Sequence, residues 1–306
     1  KVFPAFRPDK ALRVEDAQAL NEWMGRLSAV ANVEIGNLSG LLDALKKRHD
    51  DFHEHRCRLS DHGLDFCFAD PCTRQEAEVI FSKVRKGTNA STEEATKFAS
   101  FLMIFFAQLD AERGWTKQLH LGVLRNANSR MLKVLGRDMG FDSIGDGRQA
   151  LPLAQYLDRL DRDGQLPKMI VYNSNPSDNY LFATMLGNFQ DGSVAGKIQF
   201  GSAWWFLDQK EGIEWQLNAL SNCGLLARFV GMITDSRSFM SFPRHEYFRR
   251  VLCNLVGTEM QNGLLPDSME LVGKMVRNIC FHNAASYLNM PGIEAMESLP
   301  VVAEHA

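Results

Sequence analysis

The sequence predicts an α/β protein, specifically a TIM-type (β/α)8 barrel that lacks its first strands. Short apolar runs alternate with longer segments of helical periodicity, which is typical of parallel strand–helix–strand units. No glycine-rich nucleotide-binding fingerprint opens the series, so a barrel is favoured over an open nucleotide-binding sheet. The predicted strands lie near residues 1–6, 56–60, 117–124, 168–173, 197–203 and 228–234. These six strands are two fewer than a closed barrel of this type contains.

Helices are predicted between most of these strands and after the last one. The sequence STEE at 91–94 is a capping box that opens a long helix, whose apolar stripe includes Phe98, Leu102 and Leu109. We predict one incomplete barrel domain over residues 1–306, with C-terminal helices from about residue 243. Because the chain opens inside a predicted strand, we expect the functional protein to include a preceding segment.

The composition is that of an ordinary globular protein and argues against some partners. Of the 306 residues, 45% are hydrophobic and 23% are charged, and the formal net charge is -3. Since this charge is not basic, nucleic acid is not an expected partner. The longest apolar run, near 98–109, is shorter than the ~20 residues of a membrane span. The 6 cysteines form no Cys-x-x-Cys pair, and we interpret them as reduced thiols in a cytoplasmic protein.

Polar and aromatic side chains lie at or just after the carboxyl ends of the predicted strands, where barrel enzymes place their chemistry. They are Arg7, Asp61, His62, Asp65, His120, Arg125, Trp204, Trp205, Asp235 and Arg237. Any one arginine could equally form a structural salt bridge on the rim. Three arginines on separate strand ends favour an anionic ligand, because the planar guanidinium matches a carboxylate. Asp235 could cap a helix, bind a metal or act as a base.

The pair His53 and His55 has the His-x-His spacing of many zinc sites but lies at the end of a predicted helix. Successive helical residues turn by about 100°, so the two side chains point in nearly opposite directions. Such a pair shares one face only on a strand. We therefore interpret it as a solvated helix end and not as a metal site.

Long motifs spread over the whole chain carry a family resemblance. They are RPDK at 7–10, SDHGLD at 60–65, HLGVLRN at 120–126, GFDSI at 140–144, MLGNFQ at 185–190, GKIQFGSAWWFLDQKEG at 196–212, LLARFVGMITDSRSF at 225–239, RHEYFRR at 244–250 and NICFHNA at 278–284. Together they resemble uronate isomerase, also called glucuronate isomerase, in the amidohydrolase superfamily. The resemblance implies a distorted (β/α)8 barrel of the metal-dependent hydrolase type with extra helices. It also implies an aldose–ketose isomerisation through an enediol, between D-glucuronate and D-fructuronate and between D-galacturonate and D-tagaturonate.

The resemblance assigns roles to residues at the strand ends, with zinc as the implied cofactor and a small-molecule uronate as the partner. The implied catalytic residues are Asp235, His120 and Arg237, of which Asp235 would also contact the metal. The implied substrate-binding residues are Arg7, Arg125, Trp204, Arg237 and His62, the last in a supporting role. A homo-oligomer is compatible with the resemblance but is not fixed by it.

The chain departs from the family pattern at its beginning. The family carries a His-x-His pair on its first strand and a tyrosine a little later, and neither is present here. The other zinc ligands would therefore come from a segment outside this chain. Two other function classes stay open: a metal-dependent hydrolase of the same superfamily, in which Asp235 would deprotonate a metal-bound water, and an inactive sugar-acid binding module.

Overall fold

The computed structural model describes residues 2–235, 238–290 and 292, and it consists of a parallel sheet wrapped by helices. The helices are α1 Ala17–Ala31, α2 Leu38–Glu54, α3 Arg74–Arg85, α4 Thr92–Glu112, α5 Ser129–Leu135, α6 Ala150–Arg162, α7 Asn179–Gly187, α8 Lys210–Cys223, α9 Pro243–Gln261, α10 Met269–Arg277 and α11 Asn283–Leu288. The strands are β1 Leu59–Leu64, β2 Thr116–Leu121, β3 Val123–Leu124, β4 Ser143–Ile144, β5 Lys168–Asn173 and β6 Ile198–Phe200.

The main sheet has the order β1-β2-β5-β6, and every neighbouring pair is parallel. Successive strands are therefore joined by helical crossovers, as the alternating sequence pattern predicts. All six residues of β2 are buried, since this strand has neighbours on both sides and is covered on both faces. The short strands β3 and β4 form a separate antiparallel pair.

The strands predicted at 117–124, 168–173 and 197–203 are confirmed in their main part. The strand predicted at 56–60 is displaced to Leu59–Leu64, so Asp61 and His62 lie within β1 and do not follow it. The predictions for the two ends of the sheet fail. The strand at 168–173 is confirmed, whereas the one at 1–6 is reduced to a single parallel bridge between Phe6 and Ser60. The strand predicted at 228–234 is wrong. Gly231 has a φ of 81°, which interrupts an extended path. This segment instead contacts the β6 end through side chains, since Ile233 N donates to Ser202 Oγ at 3.2 Å.

The side chains of β5 alternate between two distinct cores. Met169 and Val171 pack into the large core between the sheet and the helices. Ile170 and Tyr172 face the other way, into a smaller cluster that includes Trp204, and this second face is the barrel interior. The other buried residues of this smaller cluster are Val123 and Tyr287 of α11.

Helix α11 covers the interior at the amino ends of the strands. The Tyr287 hydroxyl lies 2.7 Å from the carbonyl oxygen of Lys197 and 3.1 Å from that of Met169, both next to the first residues of their strands. The opposite, carboxyl ends of the strands are thus the end at which polar side chains can meet a ligand. No helix within the described ranges combines the length and the apolar character that crossing a bilayer demands.

The capping box predicted at 91–94 is confirmed. Ser91 Oγ accepts from Glu94 N, and the Glu94 carboxylate accepts from Ser91 N, so the two residues satisfy each other's free amides at the start of α4. A second box, between Thr73 and Glu76, opens α3 in the same way.

Two helical glycines give a direct test of the packing. A Cβ at Gly212 in α8 would lie 2.2 Å from the Leu207 carbonyl oxygen, whereas a Cβ at Gly25 in α1 meets nothing within 4 Å. We expect Gly25→Ala to raise the free energy of unfolding by about 0.5–1 kcal/mol, because alanine is the better helix former. We expect Gly212→Ala to lower it by about 1–3 kcal/mol, because backbone atoms must shift. Urea unfolding of both variants measures this, and equal effects would contradict the packing described for α8.

Candidate active site

Three strands place one row of residues across the barrel interior near their carboxyl ends. Gly63 of β1 pairs with His120 of β2, and His120 pairs with Tyr172 of β5. The next position along the chain beyond β6, Gly201, lies under Tyr172, since a Cβ there would be 2.4 Å from the tyrosine ring. The glycines at the two ends of this row leave room for large side chains from elsewhere.

Arg7 fills the space above Gly63. A Cβ at Gly63 would lie 2.4 Å from Arg7 Nη2 and 3.8 Å from Arg125 Nη2, so two of the predicted arginines meet at this strand end. Arg7 Nη1 lies 3.2 Å from Asp61 Oδ2, and Arg7 Nε donates to Asp9 Oδ2 at 3.2 Å. Half of the Arg7 side chain is exposed, so it keeps donors for a ligand.

Arg7 and the carboxylates around it shift one another's pKa values. Burial alone would lower the pKa of the Arg7 guanidinium, but Asp61, Asp9 and Asp235 outweigh burial and raise it. Burial would raise the pKa of Asp61, but the neighbouring His120 and Arg7 hold it below its usual range. The rim is therefore a set of paired ions at neutral pH, with Asp61 ionised and Arg7 protonated.

His120 is held by aromatic rings and faces Asp61 through one of its two ring nitrogens. Its ring stacks on Tyr172 at a centroid distance of 4.3 Å and meets the edge of Trp204 at 4.6 Å. Nδ1 lies 2.7 Å from Asp61 Oδ1, an ion-pair distance, whereas Nε2 makes no hydrogen bond within the described part of the chain. Buried polar atoms without partners are uncommon, so this imidazole is available to a ligand.

Asp235 lies at the rim beside Trp204, whose indole Nε1 donates to Asp235 Oδ2 at 2.7 Å. Asp235 has a φ of 42° and Trp205 a φ of 50°, a left-handed conformation that residues other than glycine seldom adopt. Such conformations cluster at functional sites. Among the elements of the described residues, the helical turn after Asp235 is capped by Ser238 and not by Asp235.

Arg125 is placed by a carboxylate and an indole. Its Nη1 donates to Asp142 Oδ2 at 3.0 Å, and its guanidinium carbon lies 4.8 Å from the centre of a Trp205 ring. This is a cation–π contact, which orients the planar group without using its donors. Arg237, predicted as both a catalytic and a substrate-binding residue, lies outside the described residues.

His62 faces the helices and not the barrel interior. It is fully buried, stacks on Phe106 of α4, and lies 2.8 Å from Asp9 Oδ1 through Nδ1 and 2.9 Å from Lys117 Nζ through Nε2. Among the described residues, the hydrogen bonds of its side chain reach the rim through Asp9, which contacts Arg7. This position suits the supporting role predicted for it.

Several residues of the site were not predicted from the sequence. Asp9, Asp142, Lys117 and Tyr172 received no role, although Lys117 shares one face of the strand TKQLHL with Leu119 and Leu121. A lysine in such a strand indicates a buried ion pair. Asp9 stands two residues after Arg7 but is tied to His62, 53 positions further along the chain, which no local pattern reveals.

The residues present do not form a metal site by themselves. Within the described ranges, no group of three or more His, Cys, Asp or Glu side chains could hold a metal ion. Asp235 offers one carboxylate oxygen besides the one that the Trp204 indole occupies. The interpretation of His53 and His55 as a helix end is consistent with their contacts, since His53 Nδ1 accepts from Trp115 Nε1 at 2.9 Å and His55 Nδ1 lies 2.7 Å from the Asp51 carbonyl oxygen.

Solved structures with the same architecture define the fold class. The crystal structure of uronate isomerase from Thermotoga maritima superposes with a TM-score of 0.86 at 30% sequence identity, covering 94% of this chain and 61% of that one. A putative metal-dependent hydrolase from Lactobacillus casei superposes with a TM-score of 0.60 at 14% identity, covering 97% and 66%, and so resembles this chain in fold alone. The chain thus has a TIM-type fold of the amidohydrolase class.

Sequence comparison assigns the chain to one family within this fold class. Residues 1–288 match the sequence model described as glucuronate isomerase, and the chain belongs to this family. A protein named uronate isomerase from Opitutus terrae is 60% identical over 290 residues, which are 95% of this chain and 61% of that protein. The chain therefore spans about three fifths of the length of such curated relatives.

The burial of His62 predicts a dependence of stability on pH. Burial and the Lys117 ammonium lower the pKa of His62 below its usual 6.5. The unfolded chain therefore binds a proton there that the folded chain does not, and the stability that neutral His62 contributes is complete above about pH 6.5 and is lost as the pH falls through the lower, folded value. We expect urea unfolding to give a smaller free energy of unfolding at about pH 5.5 than at about pH 7.5.

His62→Gln removes this proton site and should weaken the pH dependence. His55→Gln, at a solvent-exposed position, removes one histidine without touching the buried contacts and should preserve it. The same pH dependence in both variants would contradict the assignment to His62.

Proposed function

We propose that the protein to which this chain belongs is an aldose–ketose isomerase acting on uronates. The proposed reactions interconvert D-glucuronate and D-fructuronate, and D-galacturonate and D-tagaturonate. Family membership over residues 1–288 supports the activity class. The observation that carries the substrate class is the meeting of the Arg7 and Arg125 guanidiniums at Gly63, on the same rim as Asp235 and Trp204.

The two arginines suit the carboxylate of a uronate. A guanidinium carries five donors in a planar fork, and each arginine spends only part of this set on Asp61, Asp9 or Asp142. The remaining donors can bind a substrate carboxylate with charge-assisted hydrogen bonds.

Asp235 and His120 suit the proton movements of the isomerisation. An aldose becomes a ketose when the C2 proton moves to C1 through an enediol, while the hydroxyl proton on O2 is lost and O1 gains one. Asp235, with one oxygen held by the Trp204 indole, has its other oxygen available to take the C2 proton and return it to C1. His120, with Nδ1 facing Asp61 and Nε2 free of partners within the described residues, can hold or move the hydroxyl proton.

Zinc remains a proposal that these residues support only in part. Asp235 alone among the predicted site residues offers a free carboxylate oxygen, and the remaining ligands would have to come from outside the described residues. No step of the isomerisation is therefore assigned to the metal. The cytoplasmic location and the homo-oligomer likewise stay predictions.

Turnover in D2O tests the activity. We expect the full-length protein, supplied with zinc, to convert D-glucuronate to a ketose followed by proton NMR, with solvent deuterium entering at C1. Asp235→Asn should lower this rate by at least about 100-fold, since it removes the base. Asp158→Asn, an exposed aspartate on α6, should not. Binding of glucuronate without turnover would favour an inactive binding module, and hydrolysis of esters or amides in place of isomerisation would favour the hydrolase.

Substrate comparison tests the carboxylate contact. We expect Arg7→Met to raise KM for D-glucuronate by about tenfold or more, the effect of losing about 1.4 kcal/mol of charge-assisted hydrogen bonding. Arg13→Met, at a half-exposed arginine nearby in the chain, should leave KM unchanged. Binding of D-glucose, which has no carboxylate, should respond to neither variant. An equal loss of affinity for glucose and glucuronate in Arg7→Met would contradict the arginine contact.

A further inference from the structure

A continuous line of buried polar groups connects the helix layer to Arg7 at the rim. Asp110 of α4 accepts from Lys117 of β2, with Nζ 2.8 Å from Oδ2. Lys117 Nζ also lies 2.9 Å from His62 Nε2, and His62 Nδ1 lies 2.8 Å from Asp9 Oδ1. Asp9 then accepts from Arg7 through its second oxygen. The line passes from one face of the sheet to the other around the edge of β1.

Lys117 occupies a position where an apolar residue would be expected. It lies on the helix-facing side of the central strand, which it shares with Leu119 and Leu121, and its side chain is fully buried. Burying a charged pair costs several kcal/mol per ion before the pair's own attraction is counted, and an apolar replacement is often as stable. Stability alone therefore does not explain a lysine at this position, whereas its contact with His62 connects it to the site.

The ammonium of Lys117 fixes the tautomer of His62. A lysine ammonium has donors and no acceptor, so the His62 Nε2 that faces it must be the accepting nitrogen. Nδ1 then carries the proton and donates to the ionised Asp9, because a carboxylate can only accept. The His62 hydrogen bond and the Gly63 N–H, 3.0 Å from Asp9 Oδ2, hold the pKa of Asp9 below its usual range against the effect of burial.

Asp9 in turn sets the direction of Arg7. Its Oδ1 is held by His62, and its Oδ2 is held by Gly63 N and faces Arg7 Nε. A carboxylate fixed at both oxygens gives the guanidinium one preferred orientation, with Nη1 toward Asp61 and Nη2 above Gly63. Without that support the half-exposed Arg7 side chain would sample several rotamers, which costs affinity for a ligand.

We propose that Lys117 is a positioning residue for substrate recognition: it fixes the His62 tautomer, which holds Asp9 and through it aims Arg7 at the uronate carboxylate. This inference rests on the proposed function and extends it to a residue on the far face of the sheet. Lys117 touches no substrate, so its effect is on binding and not on proton transfer.

Steady-state kinetics of the full-length protein test the inference. We expect Lys117→Met to raise KM for D-glucuronate about tenfold while kcat changes less than about twofold, because Arg7 is misaligned and Asp235 is not. The matched control is Leu119→Met, on the same face of the same strand, which should leave both constants unchanged. Thermal unfolding establishes that both variants fold. An unchanged KM in folded Lys117→Met would overturn the inference.

If Lys117→Met does not fold, two replacements of His62 test whether the hydrogen bond from His62 to Asp9 supports substrate binding. The amide nitrogen of asparagine can take the place of Nδ1, whereas that of glutamine takes the place of Nε2, so only asparagine can donate to Asp9. We expect a distinctly smaller rise of KM in His62→Asn than in His62→Gln, and equal rises would overturn the inference. A wild-type protein with no uronate turnover would overturn the proposed function as well, whereas normal turnover with equal KM values would overturn the inference alone.

Discussion

A lysine ammonium buried in the middle of a parallel sheet requires a carboxylate beside it, and Asp110 of α4 meets that requirement. The same carboxylate accepts from Ser60 Oγ at 2.6 Å and lies 3.2 Å from His49 Nε2, so it joins α2, α4, β1 and β2 at one point. The Lys117 ammonium, together with His49 and Ser60, holds the pKa of Asp110 low although burial would raise it. Loss of this one ion pair would leave an uncompensated charge between the sheet and its helices.

Because side chains alternate along each strand, the supporting residues and the candidate active-site residues lie on opposite faces of the sheet. Positions such as Lys117 face the helices, whereas Gln118 and His120 face the barrel interior. On the interior face, the Tyr172 hydroxyl donates to Gln118 and its ring stacks on His120, so the imidazole is fixed while its Nε2 stays available. The rim consequently combines rigid groups from the strands with Arg7 and Arg125, which reach it from loops and are oriented by carboxylates and an indole.

Features with a local cause could be predicted from the sequence. The capping box at Ser91 depends on two residues three positions apart, and the strand at 168–173 on one apolar run between turns. The irregular path of residues 228–234 could not be predicted, because their apolar run is typical of a strand. The positive φ of Gly231, which interrupts that strand, is not evident from the sequence. At the site, the sequence predicted Arg7, Arg125 and Asp235, which lie at one rim, but not Asp9, whose partners His62 and Gly63 are more than 50 positions away. Contacts of that range follow from the sheet register, which no single segment determines.

The position of a bound uronate tests the account most directly. A crystal structure of the full-length protein with D-glucuronate should place the sugar carboxylate within about 3 Å of nitrogen atoms of Arg7 or Arg125, and C2 next to the free oxygen of Asp235. It should also leave Arg7 in contact with Asp9 and Asp61. A carboxylate bound away from both arginines, with the hydroxyls facing them instead, would contradict the claim that these guanidiniums recognise the acid group of the substrate.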